Sequence, residues 1–103
     1  MLPIAGTVPT TEGALYTVPS KTRARIVWIS VINTNTAADT VELFATVRGT
    51  KVELTPSVSL DGNNSLQEDA TFYLDENAII RGVAGTTGFK YLISGEETPY
   101  ARS

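Results

Sequence analysis

Residues 25–33, RIVWISVIN, form a strongly apolar stretch that constrains the fold of this chain more than any other. They include the only tryptophan and five β-branched aliphatic residues, which fit a pleated, buried surface, so we predict a β-strand. Alternation along a strand separates two faces. One face carries Ile26, Trp28, Ser30 and Ile32, and the other carries Val27, Ile29 and Val31. Because both faces are largely apolar, we expect a central strand covered on each side by a second sheet, a terminal arm or another subunit.

The rest of the chain has the pattern of an all-β protein. Residues 40–48 alternate well, with Val41, Leu43 and Ala45 on one face, and we predict that they form a hairpin with residues 25–33. Further short strands are predicted at 14–18, 51–54, 57–60, 70–74, 78–83 and 89–94, with a possible bulge at Gly82. About eight short strands without helical periodicity indicate a single-domain antiparallel sandwich or barrel.

The N-terminal residues 1–13 carry two prolines and two glycines, which predicts an extended arm. The apolar side chains of Leu2, Ile4 and Val8 would lie on the chain's own core or on a neighbouring subunit. The predicted organisation is therefore an arm at 1–13, a β-sandwich at 14–97 and a polar tail at 98–103.

Composition argues against several functions. The chain has no cysteine and no histidine, so it lacks disulfides, thiolate ligands and the commonest general base. A net charge of −3 does not favour nucleic-acid binding. No apolar run reaches the about 18–20 residues that span a membrane, and the start does not resemble a signal peptide, so we expect synthesis in the cytoplasm. We therefore predict a protein that is not an enzyme and uses no cofactor, metal or small-molecule substrate.

A weak calcium-loop pattern occurs at Asp61, Asn63 and Ser65. It has leucine and phenylalanine where such a loop needs glycine at position six and glutamate at position twelve. Asparagine and glycine in this segment are explained by a turn.

Charged residues are segregated along the chain. Lys21, Arg23 and Arg25 form a short basic segment, and five acids without a base lie within residues 61–76. These are either two solvated loop regions or opposite patches that meet between subunits. Among the aromatic residues, alternation places Tyr91 toward the core and makes Tyr73 the better surface candidate.

Several segments follow one another along the chain: Tyr16-Thr17-Val18-Pro19, the basic loop at 21–25, the apolar strand ending in Asn33, the Thr/Ala turn at 34–39, the strand at 41–47 and the closing segment at 91–96. In this order they resemble small bacteriophage virion β-modules. Of such modules, the chain is most similar to jelly-roll decoration, or cement, proteins.

That resemblance implies a jelly-roll-like sandwich on the outside of a phage head, as a homotrimer bound to the major capsid protein. It also leaves open a head–tail connector or a tail or fibre component, including a host- or glycan-binding module. The expected subunit or capsid interface consists of Leu2, Ile4, Val8, Lys21, Arg23, Arg25, Val27, Ile29 and Val31, with Tyr73 as a candidate surface aromatic.

Overall fold

Two antiparallel sheets face each other in the computed structural model, which describes residues 2–68 and 71–100. Within those ranges there are nine strands and no helix, and hence no helix long and apolar enough to cross a membrane. The strands are β1 (Ile4–Thr7), β2 (Gly13–Thr17), β3 (Thr22–Asn33), β4 (Asp39–Val47), β5 (Thr50–Leu60), β6 (Ser65–Glu68), β7 (Phe72–Leu74), β8 (Ile79–Ala84) and β9 (Phe89–Pro99). The predicted antiparallel β-sandwich is confirmed.

The five-stranded sheet has the order β1-β9-β3-β6, with β7 also paired to β3, and the four-stranded sheet has the order β2-β8-β4-β5. Because β6 and β7 pair with successive parts of β3, they act as one interrupted strand. The chain crosses between sheets at most of its connections, which is the arrangement of a jelly roll.

The predicted hairpin between residues 25–33 and 40–48 is wrong, because β3 and β4 belong to different sheets. The segment after Asn33 carries the chain from one sheet to the other, so the two strands supply the core from opposite sides. The partner of β4 in a hairpin is instead β5. Arg48 and Gly49 both have positive φ in the two-residue turn between them, as a type I′ hairpin requires.

A bulge in β3 also corrects the predicted division of its faces. Ile26 pairs with Gly95 and Trp28 with Ser94, so β3 carries an extra residue at Val27. Ile26 therefore shares the core face with Ile29 and Val31, not the face of Trp28. Gly95 permits this irregularity, because a Cβ at that position would clash with the Arg25 carbonyl oxygen.

The core lies between the sheets, and its largest fully buried apolar side chains come from the central strands. They include Ile26 and Val31 on β3, Val41 and Leu43 on β4, Ile80 on β8, and Phe89 and Ile93 on β9. The alternation of β4 expected from sequence is found, since Val41, Leu43 and Ala45 are buried together.

Some strand limits differ from the predicted ones. The two short strands expected around Pro56 are one strand, β5, which lies at a sheet edge where proline is tolerated. The closing strand continues to Pro99, because residues of β3 down to Thr22 provide its pairing partners. No register shift occurs at Gly82; the bulge lies in its partner strand β2, between Ala14 and Tyr16.

The predicted arm contributes β1, which pairs with β9 at the edge of the five-stranded sheet. Two tyrosines then join the sheets through the core. The Tyr91 hydroxyl donates to the Leu15 carbonyl oxygen at 2.9 Å, and the Tyr16 hydroxyl donates to Glu97 Oε2 at 2.6 Å. Burial raises the pKa of both tyrosines, and for Tyr16 the bond to the Glu97 carboxylate raises the pKa further.

Asn33 organises the loops at one end of the sandwich. Its fully buried side chain donates from Nδ2 to the carbonyl oxygens of Ala37 at 2.9 Å and Leu60 at 3.0 Å, and its Oδ1 accepts from the Asn35 N–H at 2.9 Å. The backbone carbonyl of Asn33 also accepts from the Asn63 N–H. One side chain thus satisfies backbone groups from two loops that are distant in sequence.

Candidate assembly surface

The bulge in β3 places Trp28 on the outer face of the five-stranded sheet. Trp28 is half-buried and lies outside the core cluster, whereas its neighbour Ile29 belongs to the cluster. The cross-strand partner of Trp28 is Ser94 on β9, next to the fully buried Ile93. Residues directly opposite each other in an antiparallel pair share a face, so Ser94 lies beside Trp28 on the outside.

Alternation from this pair defines a surface that we call the Trp28 patch: Trp28, Ser30, Ile32, Leu92 and Ser94. Ser30 pairs with Leu92 in the register. Ile32 is 44% exposed, and Leu92 is half-buried without packing against the core. Ser30 is only 6% exposed. The patch therefore holds large apolar and small polar side chains in alternation, with no charge.

Charged side chains flank the Trp28 patch at both ends of the strands. At one end Lys90, opposite Ile32, donates from Nζ to Thr7 Oγ1 at 2.9 Å. At the other end Arg25 Nη1 lies 3.0 Å from Glu96 Oε1. Beyond Arg25, its partner on β7 is Tyr73, which is 62% exposed. An apolar centre with a polar rim is the anatomy of a protein–protein interface.

The outer face of the four-stranded sheet also carries an aromatic residue, but there it is covered. Phe44 is 2% exposed although it lies outside the core cluster. Lys51 Nζ lies 4.4 Å from the ring centroid and is bound by Glu42 Oε2 at 3.3 Å and Glu53 Oε1 at 3.8 Å. Arg81 is the partner of Phe44 on β8. The Lys51 ammonium, held by two carboxylates, thus lies over this ring as a shield.

The protonation states of these acids follow from their contacts. Hydrogen bonding with Glu53 and with Lys51 lowers the pKa of Glu42. Hydrogen bonding with Glu42 raises the pKa of Glu53, and hydrogen bonding with Glu42 also raises the pKa of Lys51. Glu42 is therefore the carboxylate that the shield favours in its charged form.

Three of the residues expected at an interface lie inside the molecule, and that expectation is corrected. Val8, Ile29 and Val31 are at most 2% exposed and belong to the core, because the four-stranded sheet covers them. Val27 is half-buried at the bulge. Leu2 and Ile4 are half-buried against the chain's own core. The interface residues predicted on β3 thus belong mostly to the face that the other sheet covers, and Trp28 lies on the outer face.

The basic segment meets acidic residues within the chain. Arg23 Nε lies 3.2 Å from Asp75 Oδ1, and the backbone N–H of Lys21 donates to Glu76 Oε1 at 2.6 Å. These contacts are exposed, as is the Arg25–Glu96 pair, and such pairs typically contribute less than ~1 kcal/mol. The side chains of Lys21 and Arg23 lie at one end of the sandwich, away from the Trp28 patch.

A hollow of about 500 Å³ lies at that same end and is lined in part by Thr46, Arg48, Asp75, Asn77 and Tyr100. It is polar and open, and it contains no pairing of a nucleophile with a base. Within residues 2–68 and 71–100, no three acidic side chains lie close enough together to hold a metal ion. Asn63, part of the weak calcium-loop pattern, uses its N–H to bind the carbonyl oxygens of Asn33 and Asn35.

The residues of the Trp28 patch on β9 were missed from sequence, although a signal existed. Phe89, Tyr91 and Ile93 alternate as core residues, which leaves Leu92 and Ser94 for the outer face. Ser30 was a second signal, because a polar residue within an apolar strand marks the less buried face.

Neither protein-family models nor curated proteins provide a match to this chain.

Proposed function

We propose that this chain is a non-catalytic structural protein of a bacteriophage virion, acting as a decoration or cement protein on the outside of the head. The observation that supports an assembly role is the Trp28 patch, which carries no charge and holds Ile32, 44% exposed, beside the half-buried Trp28 and Leu92, all outside the core cluster. The resemblance of the sequence to virion β-modules narrows that role to a phage particle.

Such a protein needs contacts rather than chemistry. A cement protein stabilises a shell by binding across neighbouring capsomers, and many modest contacts add up through multivalency. The proposed partners are the major capsid protein and further copies of this chain. A compact sandwich suits this role because its edge strands resist the addition of strands from other chains. The long edge strand β5 carries Pro56 and shifts in register, and both features disfavour such pairing.

The proposal is tested on the particles made by the genome that encodes the chain. An antibody to the purified protein is used to probe density-gradient fractions, and gold-labelled particles are imaged. We expect the protein in the fractions of DNA-filled heads, with label distributed over the head surface. Protein found only in the soluble fractions would refute a virion role, and label confined to the tail would refute decoration.

A second candidate function is a connector, tail or fibre component that binds a host glycan. Two exposed aromatic residues favour it: Tyr73 at 62% exposure, and Tyr100 at 38%, which lines the hollow beside Asp75 and Asn77. Aromatic rings beside polar side chains suit sugar binding. A glycan-array screen with Tyr73→Ala and Tyr100→Ala variants distinguishes this function from decoration, for which no glycan is expected to bind.

A further inference from the structure

We propose that the outer face of the five-stranded sheet binds the same face of a second copy, about a two-fold axis. This inference does not depend on the virion role. It rests on the register of β9 and β3, which places large residues, small residues and opposite charges at positions that exchange under one rotation.

The axis lies midway between the five-stranded sheets of the two copies. It runs parallel to these sheets and perpendicular to their strands, and it passes β9 at the level of Ile93. A rotation about this axis stacks β9 of one copy on β9 of the other in the opposite direction. Residues equally far from Ile93 then face each other across the interface. Leu92 meets Ser94 of the second copy, and Lys90 meets Glu96 of the second copy. Each contact occurs twice, as two-fold symmetry requires.

The same rotation gives matching pairs on the neighbouring strands. On β3, Ser30 is level with Leu92 and Trp28 with Ser94, so Trp28 of one copy lies over Ser30 of the other. On the sheet edge, Tyr73 is level with Arg25 and Ser65 with Ile32. Arg25 is level with Glu96 and Ile32 with Lys90, so Tyr73 lies at the level of Glu96 and Ser65 at the level of Lys90. These two levels are equally far from Ile93, and Tyr73 therefore meets Ser65 of the second copy. Three large side chains therefore face serines, as interdigitating sheet surfaces require, and Ile32 lies opposite Arg25 of the second copy.

Charge complementarity selects a second copy as the occupant. Among the described residues, Lys90 is bound only by the Thr7 hydroxyl and has no carboxylate within an ion-pair distance. The rotation brings Glu96 of the second copy opposite Lys90, at both ends of an uncharged centre. An unrelated partner would need its own acidic residue opposite Lys90 and its own small residues opposite the large side chains. A second copy of this chain already has both.

The two strands that carry the contact are long: β3 and β9 pair from Asn33 and Phe89 at one end to Thr22 and Pro99 at the other. A two-fold contact of this kind closes at two copies. It therefore makes a different prediction from the homotrimer expected from sequence.

The first test is the oligomeric state of the purified chain by sedimentation velocity over a range of concentrations. We expect a dimer that dissociates on dilution. Ser94→Arg places a charge at the centre of the Trp28 patch and is expected to give a monomer. Thr17→Arg introduces the same side chain at an exposed strand position on the four-stranded sheet and is expected to leave the dimer intact.

The second test is a charge exchange, which does not depend on tolerance of the Ser94 substitution. Lys90→Glu and Glu96→Lys are each expected to weaken dimerisation by about tenfold, because each reversal creates two repulsive contacts across the axis. The double variant is expected to recover most of the lost affinity, since both contacts become attractive again.

The outcomes are separable. A wild-type chain that stays monomeric at the highest concentration, or that forms a trimer, overturns the proposal. So does a Thr17→Arg effect as large as that of Ser94→Arg, or a double charge variant as weak as the two single variants combined. Circular dichroism of each variant verifies that the sandwich is folded before its association is measured.

Discussion

The two outer faces of the sandwich each carry an aromatic residue, and the two residues differ in what lies around them. On the four-stranded sheet, Phe44 is 2% exposed and has over its ring the Lys51 ammonium, which Glu42 and Glu53 hold. On the five-stranded sheet, Trp28 is half-buried beside Ser94, and Arg25 and Glu96 occupy the next positions along this outer face. The first face is complete within one chain, and the second is suited to being completed by another.

An apolar residue on the outer face of a strand can therefore be part of a binding surface, or it can be buried by its own chain. An apolar side chain there does not by itself indicate a binding surface, since long charged neighbours can bury it within the same chain. The Phe44 ring has an ammonium group over it that two carboxylates hold, whereas among the described residues no cation lies over the Trp28 ring. We expect the Phe44 face to contribute mainly to stability and the Trp28 face mainly to association, and both expectations can be tested.

The largest expected effect is that of truncating the shielded ring. Phe44→Ala should reduce the free energy of unfolding by about 3–5 kcal/mol, because it removes a fully buried aromatic side chain and leaves a cavity under the charged residues. Trp28→Ala is the matched variant, and it should cost less than half as much when both are measured by urea unfolding at low protein concentration. Equal losses would abolish the distinction between the faces.

A second prediction concerns a defect at the edge of the shielded sheet. The Thr55 hydroxyl on β5 is buried without a hydrogen-bond partner in the described part of the chain. Thr55→Val keeps the shape and removes the unsatisfied group, so it should raise the free energy of unfolding by about 1 kcal/mol. Thr40→Val, at an exposed position of the neighbouring β4, serves as the control and should change it little.

The role of charge on each face is tested by a matched pair of lysine substitutions. Lys51→Met keeps an unbranched side chain but removes the cation above the Phe44 ring and its bonds to Glu42 and Glu53, so the thermal midpoint should fall slightly. Lys90→Met should leave the midpoint of the dilute protein unchanged. A larger drop for Lys90→Met would mean that the Trp28 face also depends on charge within the chain.

The smallest effect is a pH dependence confined to the Phe44 face. The pKa of Glu42 is lowered on folding, so Glu42 contributes stability above its unfolded pKa, and that contribution is lost as the pH falls through the folded pKa. Glu42→Gln should therefore reduce the loss of stability on acidification and lower stability at neutral pH.

Glu53 provides the opposite sign. Its pKa is raised on folding, so its contribution to stability is present below its unfolded pKa and is lost as the pH rises through the folded pKa. Glu53→Gln should thus be neutral or stabilising at pH 7, where Glu42→Gln destabilises. Thermal unfolding of both variants from pH 3 to pH 7 measures the two signs, and effects of the same sign would contradict this assignment.

Sequence was sufficient where a strand keeps strict alternation. The core face of β4 followed directly from Val41, Leu43 and Ala45, and the position of Tyr91 in the core followed from the pattern of β9. It failed at β3, because the bulge at Val27 depends on the pairing with β9 and has no local signature. One inserted residue moved Ile26 away from the face of Trp28 and misdirected the choice of interface residues.

Long-range pairing accounts for the other errors. Neighbouring strands in the sequence were expected to form a hairpin, but β3 and β4 lie in opposite sheets, and nothing in the turn at 34–38 distinguishes a hairpin from a crossing. The cover over Phe44 was likewise hidden, because it depends on the register that brings Lys51 beside Glu42. Local chemistry predicted most of the strands, although not β1 or β6, and partner choice decided what each face meets.

The loop end built around Asn33 has a consequence for engineering. Because its side chain holds the carbonyl oxygens of Ala37 and Leu60 together, and a Cβ on Gly62 would clash with Thr36, a change in the length of either loop would disturb both. The turn at Arg48 and Gly49 is different: it is exposed, and nothing lies within 4 Å of a Cβ placed on Gly49. A foreign epitope is best inserted at this turn, because an insertion there disturbs the fewest contacts of the sandwich.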